Sequence, residues 1–243
     1  MNNSKSGPSP APPAKIRVWD APLRVFHWLL ALCFAGAYLS AESENWRLLH
    51  VTLGYTLGGL LAFRLVWGVV GTRYARFGSF VRGPAAVLRY LKSLRTRVPE
   101  HHLGHNPAGA VAVLLLLVLG ACQVASGYAV YEDLGPEWLE EVHELLGNGM
   151  LLVVIGHLVG VLSASLLHRE NLVRAMLTGY KWGRPEQGIR RNGAWLAVAI
   201  VLAVAAFWWW QWRSAPPAAD AAATAATAAA TQSGTLHHDK DDD

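Results

Sequence analysis

The stretch VHELLGNGMLLVVIGHL, residues 142–158, is apolar enough to cross a lipid bilayer, yet it carries His143 and His157. Fourteen residues along a helix is about 21 Å. At 100° per residue, fourteen steps fall within about 40° of whole turns, so both imidazoles project from one face. A polar ring in hydrocarbon is costly without a partner, and two on one face require two partners.

The rest of the chain sets that helix in a bundle. Of 243 residues, 53% are hydrophobic and only 16% are charged, where soluble domains carry about a quarter. Five stretches are long enough to cross about 30 Å of hydrocarbon: roughly 22–41, 48–70, 107–129, 142–167 and 194–212. The first ends in AYLSA as a secretory signal would, but it holds a histidine and four more spans follow, so it reads as a retained helix. The expected fold is an all-α integral membrane protein: a four-helix transmembrane bundle plus a fifth, C-terminal transmembrane helix.

Charge fixes an expected orientation. Lys5, Lys15, Arg17 and Arg24 lie at the N-terminal end of the first span. The 2–3 connection holds Arg73, Arg76, Arg82, Arg89, Lys92, Arg95 and Arg97, and the 4–5 connection Arg169, Arg174, Lys181, Arg184, Arg190 and Arg191. With five alternating spans, these 17 of the 21 basic residues share one side. The 3–4 connection has Glu132, Asp133, Glu137, Glu140 and Glu141 and no basic residue. The positive-inside rule then puts the N-terminus in the cytoplasm and the C-terminus in the periplasm of a bacterial inner membrane. The net charge of +4 reports this topology, and nucleic acid is not needed as a partner to explain it.

Residues 1–15 read as a disordered cytoplasmic segment, and 16–182 as the bundle. Residues 183–213 are the fifth helix with its lead-in, and 214–243 a low-complexity periplasmic tail ending HHDKDDD. FVRGPAAVLRYLKSLR, in the 2–3 connection, suits a basic amphipathic helix on anionic membrane lipid. Asn106–Pro107 is an N-cap followed by proline at the first helical position. Cys33 and Cys122 sit in apolar runs outside any CxxCH or CxxC pattern. The pattern therefore gives no support to covalent haem attachment, a zinc ribbon or a thioredoxin-type site, and both read as buried, inert thiols.

Ten histidines remain to be sorted. His237 and His238 belong to the tail, His101, His102 and His105 (HHLGH) read as surface residues of a connection, and His168 as interfacial. His27, His50, His143 and His157 lie in or at the edge of spans, at two depths: His50 with His143 at the outer level, His27 with His157 at the inner. Two imidazoles from facing helices at matched depth are what a six-coordinate haem needs along its axis. Gly54, Gly58, Gly59, Gly147, Gly149, Gly156 and Gly160 leave room for flat groups between helices. A lone membrane histidine is more often hydrogen-bonded to a neighbouring helix, and a proton relay would need interior carboxylates. No span has an interior aspartate, and Glu144 sits at the edge. Arg64 has two readings: snorkelling to the interface, or a salt bridge to a propionate of the inner haem, with Arg24 as the second candidate. Trp208–Trp210 with Trp212 read as an interfacial belt.

RVFHW around His27, LLHVTLGY around His50, GHNPAGA at 104–110, the His143/His157 pair and ENLVRAMLTGYK at 170–181 resemble the bacterial cytochrome b-561 family. The membrane cytochrome b subunits of nickel–iron hydrogenases and formate dehydrogenases are similar. The resemblance covers about 16–182. It implies two non-covalent, bis-histidine haem b groups on His27, His50, His143 and His157. It also implies electron transfer between the quinone pool and a redox partner, a periplasmic c-type cytochrome or a hydrogenase- or dehydrogenase-type protein. The fifth span is a departure from the shortest family members. Two other functions compete: a haem-dependent oxidoreductase acting on a small substrate such as superoxide, and a non-redox transporter, which would be colourless. Arg47 is the main outer-face cation that could attract superoxide, so the electron-transfer subunit leads.

Overall fold

The computed structural model describes residues 12–94, 96 and 100–214. Their helices and strands run β1 (Ala14–Arg17), α1 (Ala21–Ser40), α2 (Arg47–Val70), α3 (Phe77–Phe80), α4 (Pro84–Ser93), α5 (Pro107–Tyr131), α6 (Trp138–Leu167), α7 (Leu172–Thr178), β2 (Tyr180–Gly183) and α8 (Ala194–Ser214). Five of the helices, α1, α2, α5, α6 and α8, are long and apolar enough to cross a membrane. Each of the five expected spans has its helix, and the protein is an all-α membrane bundle.

Local chemistry sets the helix ends. Asp20 caps α1, its Oδ1 accepting from the Leu23 amide at 2.8 Å, with Pro22 in the first turn. Asn106 caps α5 in the same way, accepting from Gly109 N at 2.7 Å, with Pro107 leading the helix as the sequence requires. Asn171 caps α7, and Gly179 closes it in the left-handed region at φ 88°. A Cβ on Gly179 would also meet the Trp19 carbonyl at 2.7 Å.

The tight approach at Gly179 serves a feature that hydropathy hides. β1 pairs antiparallel with β2, Ala14 opposite Gly183 and Arg17 opposite Tyr180. The strand therefore begins inside the segment expected to be disordered; residues 1–11 lie outside the described part. Four apolar–basic residues are too short a run for periodicity to flag a strand.

α1 packs on α2, α2 on α5, and α5 on α6. Buried Thr52 and Thr56 satisfy their hydroxyls by donating to carbonyls one turn back, each at 2.7 Å. The amphipathic segment of the 2–3 connection is helical over Pro84–Ser93, with Tyr90 buried and Leu88 and Leu91 exposed. Arg95 and Arg97 lie outside the described residues.

The described residues divide into two compact units at Val204/Ala205, within α8. In the second, Arg213 lies over the Trp209 ring at 4.4 Å, and Phe207 packs on Trp210 at 6.1 Å. The tail from 215 onward lies outside the described residues.

Candidate haem-binding site

At the outer level, α2 carries His50 and α6 carries His143, their ring centroids 6.2 Å apart and their planes 79° apart. Two imidazoles sharing one metal on a common axis, each with a bond of about 2 Å, put their centroids roughly 6 Å apart. The outer pair meets that spacing.

The hydrogen bonds behind these rings leave the correct nitrogens for a metal. His50 Nδ1 lies 2.8 Å from the Ala37 carbonyl, so it carries the proton and Nε2 keeps its lone pair. Ser126 donates its hydroxyl to the Gln123 carbonyl at 3.1 Å, so its oxygen accepts from His143 Nδ1 at 2.9 Å. His143 Nε2 then accepts from the Gln123 amide at 3.1 Å. That amide holds the lone pair a metal would take. Gly127 is the position on α5 that admits the His143 ring: a Cβ there would stand 2.7 Å from Cε1.

At the inner level, His27 of α1 and His157 of α6 are close enough to interact electrostatically. This level is a collection of buried nitrogens without hydrogen-bond partners among the described residues: His27 Nδ1, Trp28 Nε1, Arg24 Nε, both terminal nitrogens of Arg64, and His105 Nδ1. Buried polar groups in native proteins almost always have partners, so such a set marks where an acceptor-rich group belongs. Propionates fit it.

Arg64 does not snorkel. It is 1% exposed, with its guanidinium 4.6 Å over the Phe77 ring. Asp20 attracts it but is already committed to the Leu23 amide, the Trp67 indole at 3.1 Å and Thr72 at 2.5 Å. Arg24 donates Nη1 to the Leu177 carbonyl at 2.6 Å, and its Nε has no hydrogen-bond partner among the described residues.

Space follows the same plan. α1 and α2 each bury eight residues, whereas α6 buries only Gly147, Met150 and Ala164. Cβ atoms built on Gly54, Gly59, Gly149, Gly156 and Gly160 would meet nothing within 4 Å among the described residues. Gly58 and Gly147, grouped with them by sequence, instead admit Val124 and Gln123 of α5.

The family described as prokaryotic cytochrome b561 matches residues 18–179. The chain belongs to that family. The probable Ni/Fe-hydrogenase 1 B-type cytochrome subunit of Escherichia coli K12 is 25% identical, over 68% of this chain and 89% of that one. The probable Ni/Fe-hydrogenase B-type cytochrome subunit of Azotobacter vinelandii is 28% identical, over 68% and 88%. No solved structure matches. Membership makes the protein a multi-pass bacterial membrane cytochrome of b type, which binds haem b and transfers electrons.

Several residues of this cytochrome escaped the sequence. His105 is not a plain surface residue: its ring packs on Trp19 at 4.8 Å and Phe80 at 4.6 Å. Burial, reinforced by the Arg64 charge, pushes its pKa down to about 3, so it is neutral. Lys181, counted among loop cations, is buried against Glu170 at 2.9 Å and the Leu103 carbonyl at 3.1 Å. Cys33 is buried as expected, but Cys122 is exposed on α5. Among the described residues no group of three or more His, Cys, Asp or Glu is placed to hold a metal ion, HHLGH included.

Proposed function

We propose that this cytochrome holds two haem b groups, one between His50 and His143 and one between His27 and His157. On this proposal it passes electrons between the quinone pool and a periplasmic or membrane-associated partner. The carrying observation is the outer pair: its spacing is 6.2 Å and its Nδ1 partners keep the protons off Nε2, so that His50 Nε2, and His143 Nε2 once the Gln123 amide yields, can serve a metal. When bound, haem iron supplies reversible one-electron chemistry. The chain's part is to fix tautomers and charge. Ala37 and Ser126 hold the outer imidazoles, while Arg64 and Arg24 offer cationic donors to the inner propionates.

The N-terminus lies in the cytoplasm by the distribution of Lys and Arg, which puts the acidic 3–4 connection and the C-terminus outside. Glu132, Asp133, Glu137, Glu140 and Glu141 are all exposed, a surface that steers a basic protein toward the outer pair. The relatives' names favour a hydrogenase-type partner, and a c-type cytochrome suits the same surface. Direct reaction with superoxide has less support, because Arg47 is paired with Glu44 at 3.5 Å.

The test is a reduced-minus-oxidised visible spectrum of detergent-purified protein, with haem counted against protein and with a quinol as reductant. Two haems per chain, both reduced by quinol, is the expected result. A single haem would overturn the two-level assignment, and haem that quinol leaves oxidised would overturn the quinone step.

A further inference from the structure

We propose that a concave cleft on the outward side of α6 and α7 binds one anionic phospholipid. The cavity is about 510 Å3 and lies away from both histidine pairs. Its wall includes Leu162, Leu166, Val173 and Leu177, all exposed, Leu166 to 80%. Leu166 is nine residues from His157 and Leu162 five, which at 100° per residue puts them about 180° and 140° around α6 from the histidine. The cleft therefore belongs to the helix face that the haem pairs do not use.

Its polar end is cationic. Arg169 and Arg174 line the cavity just past Leu167, the last residue of the span, where phosphate headgroups lie. Both are exposed, and neither forms an ion pair among the described residues. The carboxylate of Glu170, also in the lining, is neutralised by buried Lys181 at 2.9 Å and faces His101 at 3.5 Å. Two unpaired arginines above an apolar wall match a phosphate above an acyl chain. A soluble phosphate would leave the four apolar side chains unused, and a zwitterionic headgroup would bring its own cation against the arginines. The occupant that fits both ends is an anionic lipid such as phosphatidylglycerol.

Native mass spectrometry of the haem-loaded, full-length protein in detergent tests this. Phosphatidylglycerol, phosphatidylcholine of the same acyl chains and glycerol 3-phosphate are titrated separately. Phosphatidylglycerol should be retained preferentially as a single molecule. The double variant Arg169→Gln/Arg174→Gln should weaken that retention by roughly thirtyfold without changing phosphatidylcholine. Arg73→Gln/Arg184→Gln, which removes two cations from a different cavity, should change neither. If the double variant loses haem, Arg174→Gln alone replaces it, with an expected loss of roughly fivefold. Undiminished retention in the cleft variant, an equal loss in the distant pair, or glycerol 3-phosphate binding as tightly as the lipid would each overturn the assignment.

Discussion

The imidazoles of His50 and His143 face each other across 6.2 Å, one backed by the Ala37 carbonyl and the other by the Ser126 hydroxyl. Both protons are thereby held on Nδ1, so His50 Nε2 keeps the lone pair a metal would take, while the Gln123 amide holds that of His143. Removing either ring should empty the outer level alone. His50→Ala or His143→Ala is expected to halve the haem content, and His27→Ala or His157→Ala to remove the other half. The redox titration of each class should keep the component the other lost. Equal haem content in all four variants and the parent would sink the pairing.

The second shell makes its own prediction. Without Ser126 Oγ, His143 loses the acceptor that keeps the proton on Nδ1, and Nε2 becomes a poorer ligand. Ser126→Ala should weaken outer-haem retention by about ten- to a hundredfold, measured by transfer of haem to an apo-acceptor, while the inner haem stays. Loss of both haems together would point to a folding defect and count against the assignment.

Gly127 offers a steric version of that experiment. An added methyl would lie 2.7 Å from His143 Cε1, so the ring must move or the helices separate, at a cost of about 1–3 kcal/mol. Gly127→Ala should shift the outer-haem potential and lower its occupancy. Gly78→Ala, where nothing lies within 4 Å, serves as the neutral comparison. If the two variants behave alike, the close approach of α5 to His143 is not limiting.

The spans were legible, and the histidines could be assigned to two depths, because hydropathy and the 3.6-residue period report on a helix one at a time. What they could not report is the environment of a polar side chain. Arg64 reads equally well as snorkelling or buried until Phe77 and Phe80 are known to cover it. Lys181 and Glu170 look like two loop charges, yet Lys181 is buried and paired with a half-buried Glu170. Ser126 and Gln123 look like ordinary polar residues of a membrane helix, yet they set the tautomer of His143. The strand pairing of β1 and β2 spans more than 160 residues of sequence, so no local pattern could announce it. Cys122 was misread for a related reason: an apolar run in a membrane helix marks contact with lipid as readily as burial in the core.

Arg64 tests the propionate assignment. Its two terminal nitrogens are buried without a hydrogen-bond partner among the described residues. On the proposed assignment, Arg64→Leu removes a cation beside the inner propionates. That should weaken inner-haem retention and lower its midpoint potential, because a positive charge favours the reduced iron. An unmoved inner potential would remove Arg64 from the propionate site.

His105 gives the pH dependence. Its ordinary value is 6.5, and in the fold it falls to about 3, through burial first and then the charges of Arg64, His157, His27 and Lys181. Between those values the unfolded chain binds a proton that the folded chain refuses, so stability falls as pH drops below 6.5. Replacing the ring by an uncharged group removes this proton uptake and leaves the other acid-sensitive groups in place. The melting temperature of His105→Asn should therefore decline less steeply than that of the parent between pH 6.5 and about 4, with the curves parallel above pH 7.5. Haem release, followed in the same scans by visible absorbance, separates this effect from protonation of the ligand histidines. Parallel curves across the whole range would mean that His105 takes up its proton without opposing the fold.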